Sequence, residues 1–160
     1  MATLKVKIQE DIILDNQDYS SKRVLEISGI NEIYKRIITV PAGSDSTIAL
    51  FRSTSGTTSG VESAALDIDD VKYIRVTNLD SSNSVNLSLQ INTDEDNGAA
   101  DDSATILLEA GKSFIMGTPH DGIAVNSAAA SVVTSLVDLE SILIDSSSNA
   151  VNIEVIIASA

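Results

Sequence analysis

Strict alternation of apolar and polar side chains marks much of this chain. Leu4, Val6 and Ile8 stand between Lys5, Lys7 and Gln9, the period of a strand with one wet face. Polar residues fill 15–22, then Val24, Leu25 and Ile27 suggest a second strand that Gly29 punctuates. Residues 34–40 (YKRIITV) and 46–51 (STIALF) read as strands around the turn cluster Pro41-Ala42-Gly43-Ser44-Asp45. A Ser/Thr/Gly-rich stretch at 52–63 reads as a long exposed loop, and 64–68 as a short strand or half a helical turn. Residues 71–78 (VKYIRVTN) are a strand, and Val85, Leu87, Leu89 and Ile91 alternate with Asn86, Ser88 and Gln90 in the next. An acidic loop follows at 94–103. Strands at 105–108 and 112–116 then flank Glu109-Ala110-Gly111. Residues 123–136 read as a short helix or as irregular strands, and strands at 139–144 and 151–157 close the chain.

The pattern repeats. Ser81-Ser82-Asn83 and Ser147-Ser148-Asn149 lie 66 residues apart, and Val85/Val151, Leu87/Ile153, Leu89/Val155 and Ile91/Ile157 match at the same offset. The turns Ala42-Gly43 and Ala110-Gly111 lie 68 apart. The order predicted is AG hairpin, SSN hairpin, AG hairpin, SSN hairpin. Two such strand sets, each apolar on one face, bury those faces against each other. The expected fold is all-β: an antiparallel two-sheet β-sandwich, jelly-roll-like, with at most one short helix. Residues 1–15 form an N-terminal arm or an edge strand, and 16–160 a single sandwich domain. Leu4, Val6, Ile8 and Tyr34 are the candidate interface residues. The SSN turns have a second reading, as binding loops, but Asp, Ser and Asn bonding their own backbone explain the recurrence.

Composition changes the picture in two ways. Of 160 residues, 43% are apolar but only 3% aromatic, so the core is aliphatic and suited to strands. A chain this long buries about 70% of its unfolded surface and needs no staples; it has no cysteine. Net charge is −13, which argues against contact with a nucleic-acid backbone or an anionic membrane. No apolar run approaches the ~20 residues of a membrane helix, and residues 1–14 lack the basic-then-apolar order of a secretory signal. Seven of the ten Lys and Arg lie within residues 1–52. Head-to-tail contact between unlike patches is one reading of this asymmetry; scattered surface charge is the plainer one.

Candidate chemistry is sparse. His120, the one histidine, sits beside Asp121 in a turn, an arrangement that resembles a carboxylate-oriented base. Turn neighbours rarely point at each other, and no second histidine or cysteine exists to complete a zinc site. Asp94, Asp96, Asp101 and Asp102 are the calcium candidates, since hard cations take six to eight oxygens. They lack EF-hand spacing, and a solvated acidic loop is the competing reading. Asp67, Asp69 and Asp70 form a smaller acidic group of the same kind. Residues 55–60 (SGTTSG) resemble a phosphate loop in composition but lack its Gly-Lys-Ser/Thr ending. No Gly-x-Ser-x-Gly elbow occurs. The expectation is a protein that is not an enzyme and uses no cofactor.

Residues 71–90 (VKYIRVTNLDSSNSVNLSLQ), 107–116 (LLEAGKSFIM) and 139–160 (LESILIDSSSNAVNIEVIIASA) resemble small β-sandwich virion proteins of tailed bacteriophages, of the marine and cyanophage type. The similarity is a pattern over residues 70–160 rather than a signature. It implies a non-catalytic structural protein of the virion, assembled in the host cytoplasm. The expected role is capsid decoration or cement, with a major capsid protein or other virion proteins as partners and a homo-oligomeric state. Alternatives are a tail, neck or baseplate component, and a calcium-dependent glycan-binding sandwich.

Overall fold

The computed structural model describes residues 2–52, 66–91, 102–117, 123–126 and 131–160. Its strands are β1 (Ala2–Glu10), β2 (Ile13–Leu14), β3 (Gln17–Asp18), β4 (Ser21–Ile30), β5 (Glu32–Val40), β6 (Asp45–Arg52) and β7 (Leu66–Asp67). After a single 3-10 turn at Ile68–Asp70 come β8 (Val71–Asn78), β9 (Val85–Ile91), β10 (Asp102–Leu108), β11 (Ser113–Gly117), β12 (Ala124–Val125), β13 (Val137–Asp145) and β14 (Val151–Ser159). The chain is all-β and its body is a two-sheet sandwich. One sheet runs β11-β8-β14-β5, the other β10-β9-β13-β6-β7, with β12 paired to β13. Every pairing is antiparallel except β6 with β7. In the described part of the stretch at 64–68, Leu66–Asp67 is a strand and Ile68 begins the 3-10 turn. Within 123–136 the described residues contain the short strand β12 and irregular backbone.

The four expected hairpins are not hairpins. β5 and β6, β8 and β9, β10 and β11, and β13 and β14 are successive along the chain, but the members of each pair lie in opposite sheets. A hairpin and an arch show the same period of two, because both let each strand bury one side; they differ in whether the strands share a sheet or face across the core. The links decide it. Residues 41–44, 79–84, 109–112 and 146–150 are longer than the two-residue type I′ and II′ turns of tight hairpins. They have the reach to cross the roughly 10 Å between packed sheets.

The 66-residue recurrence acquires a structural meaning. β8 pairs with β14 and β9 with β13, so the two SSN arches nest side by side. Asn149 Nδ2 donates to Asn83 Oδ1 at 3.1 Å, joining the matching asparagines of the two copies of the phrase. Asp80 Oδ1 accepts the amides of Ser82 and Asn83, both at 2.7 Å. These bonds, that of Asn83 foremost, hold the Asp80 carboxyl below its ordinary pKa. Asn78 is fully buried and donates to Asn83 O and Leu108 O, while its Oδ1 accepts the Asp80 amide. Ser146 Oγ donates to Pro41 O at 2.7 Å, tying the second SSN arch to the first AG arch. Gly43 and Gly111 both have φ in the left-handed region, +64° and +70°, which explains the glycine of each AG turn. The polar atoms of the SSN turns are thus engaged in building the arches, as the turn-chemistry reading expects.

Between the sheets lies one aliphatic core. Val85, Leu87, Leu89, Ile142 and Ile144 of one sheet meet Ile74, Val76, Ile153, Val155 and Ile157 of the other. Each fully buried Leu or Ile contributes about 1.5–3 kcal/mol through lost water contact, so these ten side chains outweigh any polar term in the body.

Candidate functional site

β1 and β4, within residues 2–30, form a separate two-stranded sheet. β1 pairs with β4 from Thr3↔Ser28 to Glu10↔Ser21, and the tip folds back through β2 and β3. Residue 15, the expected arm boundary, lies in the tip turn, and the pairing continues to residue 30. Asp15 and Asn16 both have positive φ, as a two-residue type I′ turn requires. Polar groups organise the tip. Ile12 N donates to Ser20 Oγ, Tyr19 N to Ile12 O, and Ser20 N to Asp18 Oδ1. The bonds from Ser20 lower the Asp18 pKa. The apolar side chains of the tip remain outside: Ile13 is 78% exposed and Leu14 61%, beside exposed Ile12 and Tyr19.

The shaft has two faces. Leu4, Val6 and Ile8 share one with their register partners Ile27, Leu25 and Arg23. Only its lower part is covered. Ile27 and Ile30 are buried against Tyr73 of β8 and Ala158 of β14, with Leu4 and Val6 half-buried around them. This is the outer face of the β11-β8-β14-β5 sheet, since β14 turns Ile153, Val155 and Ile157 inward. Burial pushes the Tyr73 hydroxyl pKa up. Further out on this face, Ile8 and Leu25 are exposed. The other face carries Lys5, in an ion pair with Glu26 at 2.6 Å, then Lys7 and Lys22. Gly29 is the extra residue of a bulge, with φ +84°, because Ala2 pairs with Ile30 and Thr3 with Ser28. It turns the chain out of the arm and into β5, where Asn31 N donates to Ser159 O.

The candidate interface residues therefore separate. Leu4 and Val6 belong to the docked base, Ile8 to the uncovered shaft, and Tyr34 to the body. Tyr34 packs half-buried against the core, with the Arg36 guanidinium 5.6 Å from its ring centroid. Asp102 opens β10; Asp94, Asp96 and Asp101 lie outside the described residues, as do His120 and 55–60. Among the described residues no three His, Cys, Asp or Glu gather as metal ligands. Asp67 caps the 3-10 turn by accepting the Asp69 amide, and Asp70 O accepts from Ala160 N. Arg75 and Lys35 both pair with Glu154 on the outer face of the β11-β8-β14-β5 sheet, Lys35 at 3.3 Å.

Sequence reasoning missed two features. One is the apolar tip: the polar reading of 15–22 passes over Ile12-Ile13-Leu14 followed by Asp15-Asn16, a legible hairpin signal. The other is the side of the sandwich where, among the described residues, β10 and β11 are both edge strands. A groove of about 440 Å³ lies there, lined by Ile106, Leu107, Leu108 and Phe114 and by the polar Glu109, Lys112 and Ser113. No protein-family model, curated protein or solved structure matches this chain.

Proposed function

We propose that this protein is a non-enzymatic structural component of a bacteriophage virion, a decoration or cement protein that binds the outside of the capsid and stabilises it. The observation that carries the reading is the arm: an ordered hairpin on a stiff sandwich that holds apolar side chains away from the protein's own core. Large exposed apolar groups of this kind mark contact surfaces. The resemblance over residues 70–160 supplies the virion context. The strand order β11-β8-β14-β5 over β10-β9-β13-β6, with four arches crossing between the sheets, supports a jelly roll, an architecture common in capsid proteins. Partners are the major capsid protein and further copies of the chain. Particles assembled without the protein are expected to release DNA at lower temperature, with added protein restoring the wild-type value. Identical release curves with and without it would end the cement reading.

Charge asymmetry favours a second reading, a ring component of tail or neck. Residues 1–30 carry four cations against five acids, whereas 31–160 carry six against eighteen. A near-neutral first segment facing an acidic neighbour suits stacked rings. Location of the protein in a virion reconstruction separates the two readings.

A further inference from the structure

We infer that the body is a two-fold dimer built in one chain: residues 32–91 and 102–160 are two copies of one unit, and the partner each unit fits is a second unit of its own kind. Strand order carries the inference. Unit one supplies β5, β6, β8 and β9, and unit two supplies β10, β11, β13 and β14. Along the sheet β11-β8-β14-β5 the strands come alternately from unit two and unit one, and the same holds along β10-β9-β13-β6. Among the described residues, none of these eight strands pairs with another from its own unit; the short β7 and β12 alone do so. Exchanging the units maps β5 onto β10, β6 onto β11, β8 onto β13 and β9 onto β14. The exchange turns one sheet into the other with every neighbour kept, and a second exchange restores the start, which is the behaviour of a two-fold axis.

The registers agree residue by residue. Moving β5 forward by the 68 residues of the AG recurrence, and β14 back by the 66 of the SSN recurrence, reproduces every pair of β10 with β9. Ile38↔Ile153 becomes Ile106↔Leu87, and Val40↔Val151 becomes Leu108↔Val85. The 66-residue shift also carries Asn78↔Ile153, Thr77↔Glu154, Val76↔Val155 and Arg75↔Ile156 onto Ile144↔Leu87, Leu143↔Ser88, Ile142↔Leu89 and Ser141↔Gln90. Ser113↔Thr77 likewise corresponds to Thr47↔Leu143, beyond which a bulge in the β13–β6 ladder displaces the register. Such reciprocity defines an isologous contact: where two residues meet, their equivalents meet as well. On the axis a residue meets its own equivalent, as Asn83 and Asn149 do through their 3.1 Å bond. The outer faces have diverged where the core has not. Glu154 holds Lys35 and Arg75 on one face, and the equivalent positions on the other are Ser88, Ser103 and Ser141. Because the main ladders all run between units, each unit depends on the other for its sheet bonds and for the cover of its apolar side.

Cutting the full chain between the units tests this. A protease site placed between residues 91 and 102 is cleaved after the protein has folded. The cut protein is expected to keep the circular dichroism of the intact one, with both fragments sedimenting together. Its unfolding is then also a dissociation, so its urea midpoint should rise by about 0.5–1 M for each tenfold rise in concentration, a dependence that the cut creates. A midpoint that ignores concentration after the cut, a folded fragment released on dilution, or fragments that part at every concentration would each overturn the inference. A second measurement on the intact chain tests the equivalence itself. Val85 and Val151 occupy matching places and are 2% and 1% exposed. Val85→Ala and Val151→Ala should lower the urea midpoint by the same amount, and losses differing by more than about twofold would show that the two places are not equivalent. These results concern the architecture alone, and the heat-release experiment decides the virion reading separately.

Discussion

β1 and β9 carry the same pattern and meet different fates. Leu4-Lys5-Val6-Lys7-Ile8 and Val85-Asn86-Leu87-Ser88-Leu89 both alternate without a break. Yet Leu87 is wholly buried between two sheets, whereas Ile8, the corresponding kind of residue, is 47% exposed. Period two determines which side of a strand is apolar. It does not determine what covers that side. In the body the cover is the opposite sheet, brought over by an arch. In the arm it is the flank of the body for Leu4 and Val6, and nothing within the described residues for Ile8.

The difference is measurable in stability. Leu87→Ala is expected to cost about 2–5 kcal/mol, the transfer term plus a cavity. Ile8→Ala in the monomer should change stability by less than about 0.5 kcal/mol. Urea unfolding of the two variants checks the contrast, and equal losses would break it. Asn78→Ala comes next, at about 1–3 kcal/mol, because Leu108 O and Asn83 O lose a buried donor. Gly111→Ala should cost about 1–2 kcal/mol through backbone strain alone, since nothing stands within 4 Å of an added Cβ.

Two titrations sharpen the comparison further, with smaller effects. The Asp80 pKa is depressed in the fold, so its stabilisation is fully present above the ordinary value of 3.8 and fades as pH falls through the depressed one. Thermal melts of Asp80→Asn should show a shallower loss of stability on the acid side than the wild type. The Tyr73 pKa is raised above 10.0, so stability declines as pH climbs past the ordinary tyrosine value. Ile27→Ala uncovers part of this ring, and ultraviolet titration should then show Tyr73 ionising at lower pH.

Much of the body was legible in the sequence. The strand at 71–78 coincides with β8, and 85–91 with β9, because Val, Ile and Leu at alternate positions leave little choice of state. The SSN and AG turns were legible as turns for the same local reason. What they join was not, since arch and hairpin bury the same faces, and the choice rests on link length and on strands 66 residues away. The pairing of β1 with β4 was hidden by the ten residues of tip between them. Residues 94, 96, 101 and 120 fall outside the described residues, so the calcium and histidine readings gain no geometry.

Residue-resolved hydrogen exchange, on dilute protein that sediments as a monomer, tests most directly whether body and arm are energetically separate. The amides of β9 and β14 should exchange only through global unfolding. Those of residues 5–10 and 21–26 should exchange orders of magnitude faster. Equal protection of arm and body would show one cooperative unit, and would contradict the account.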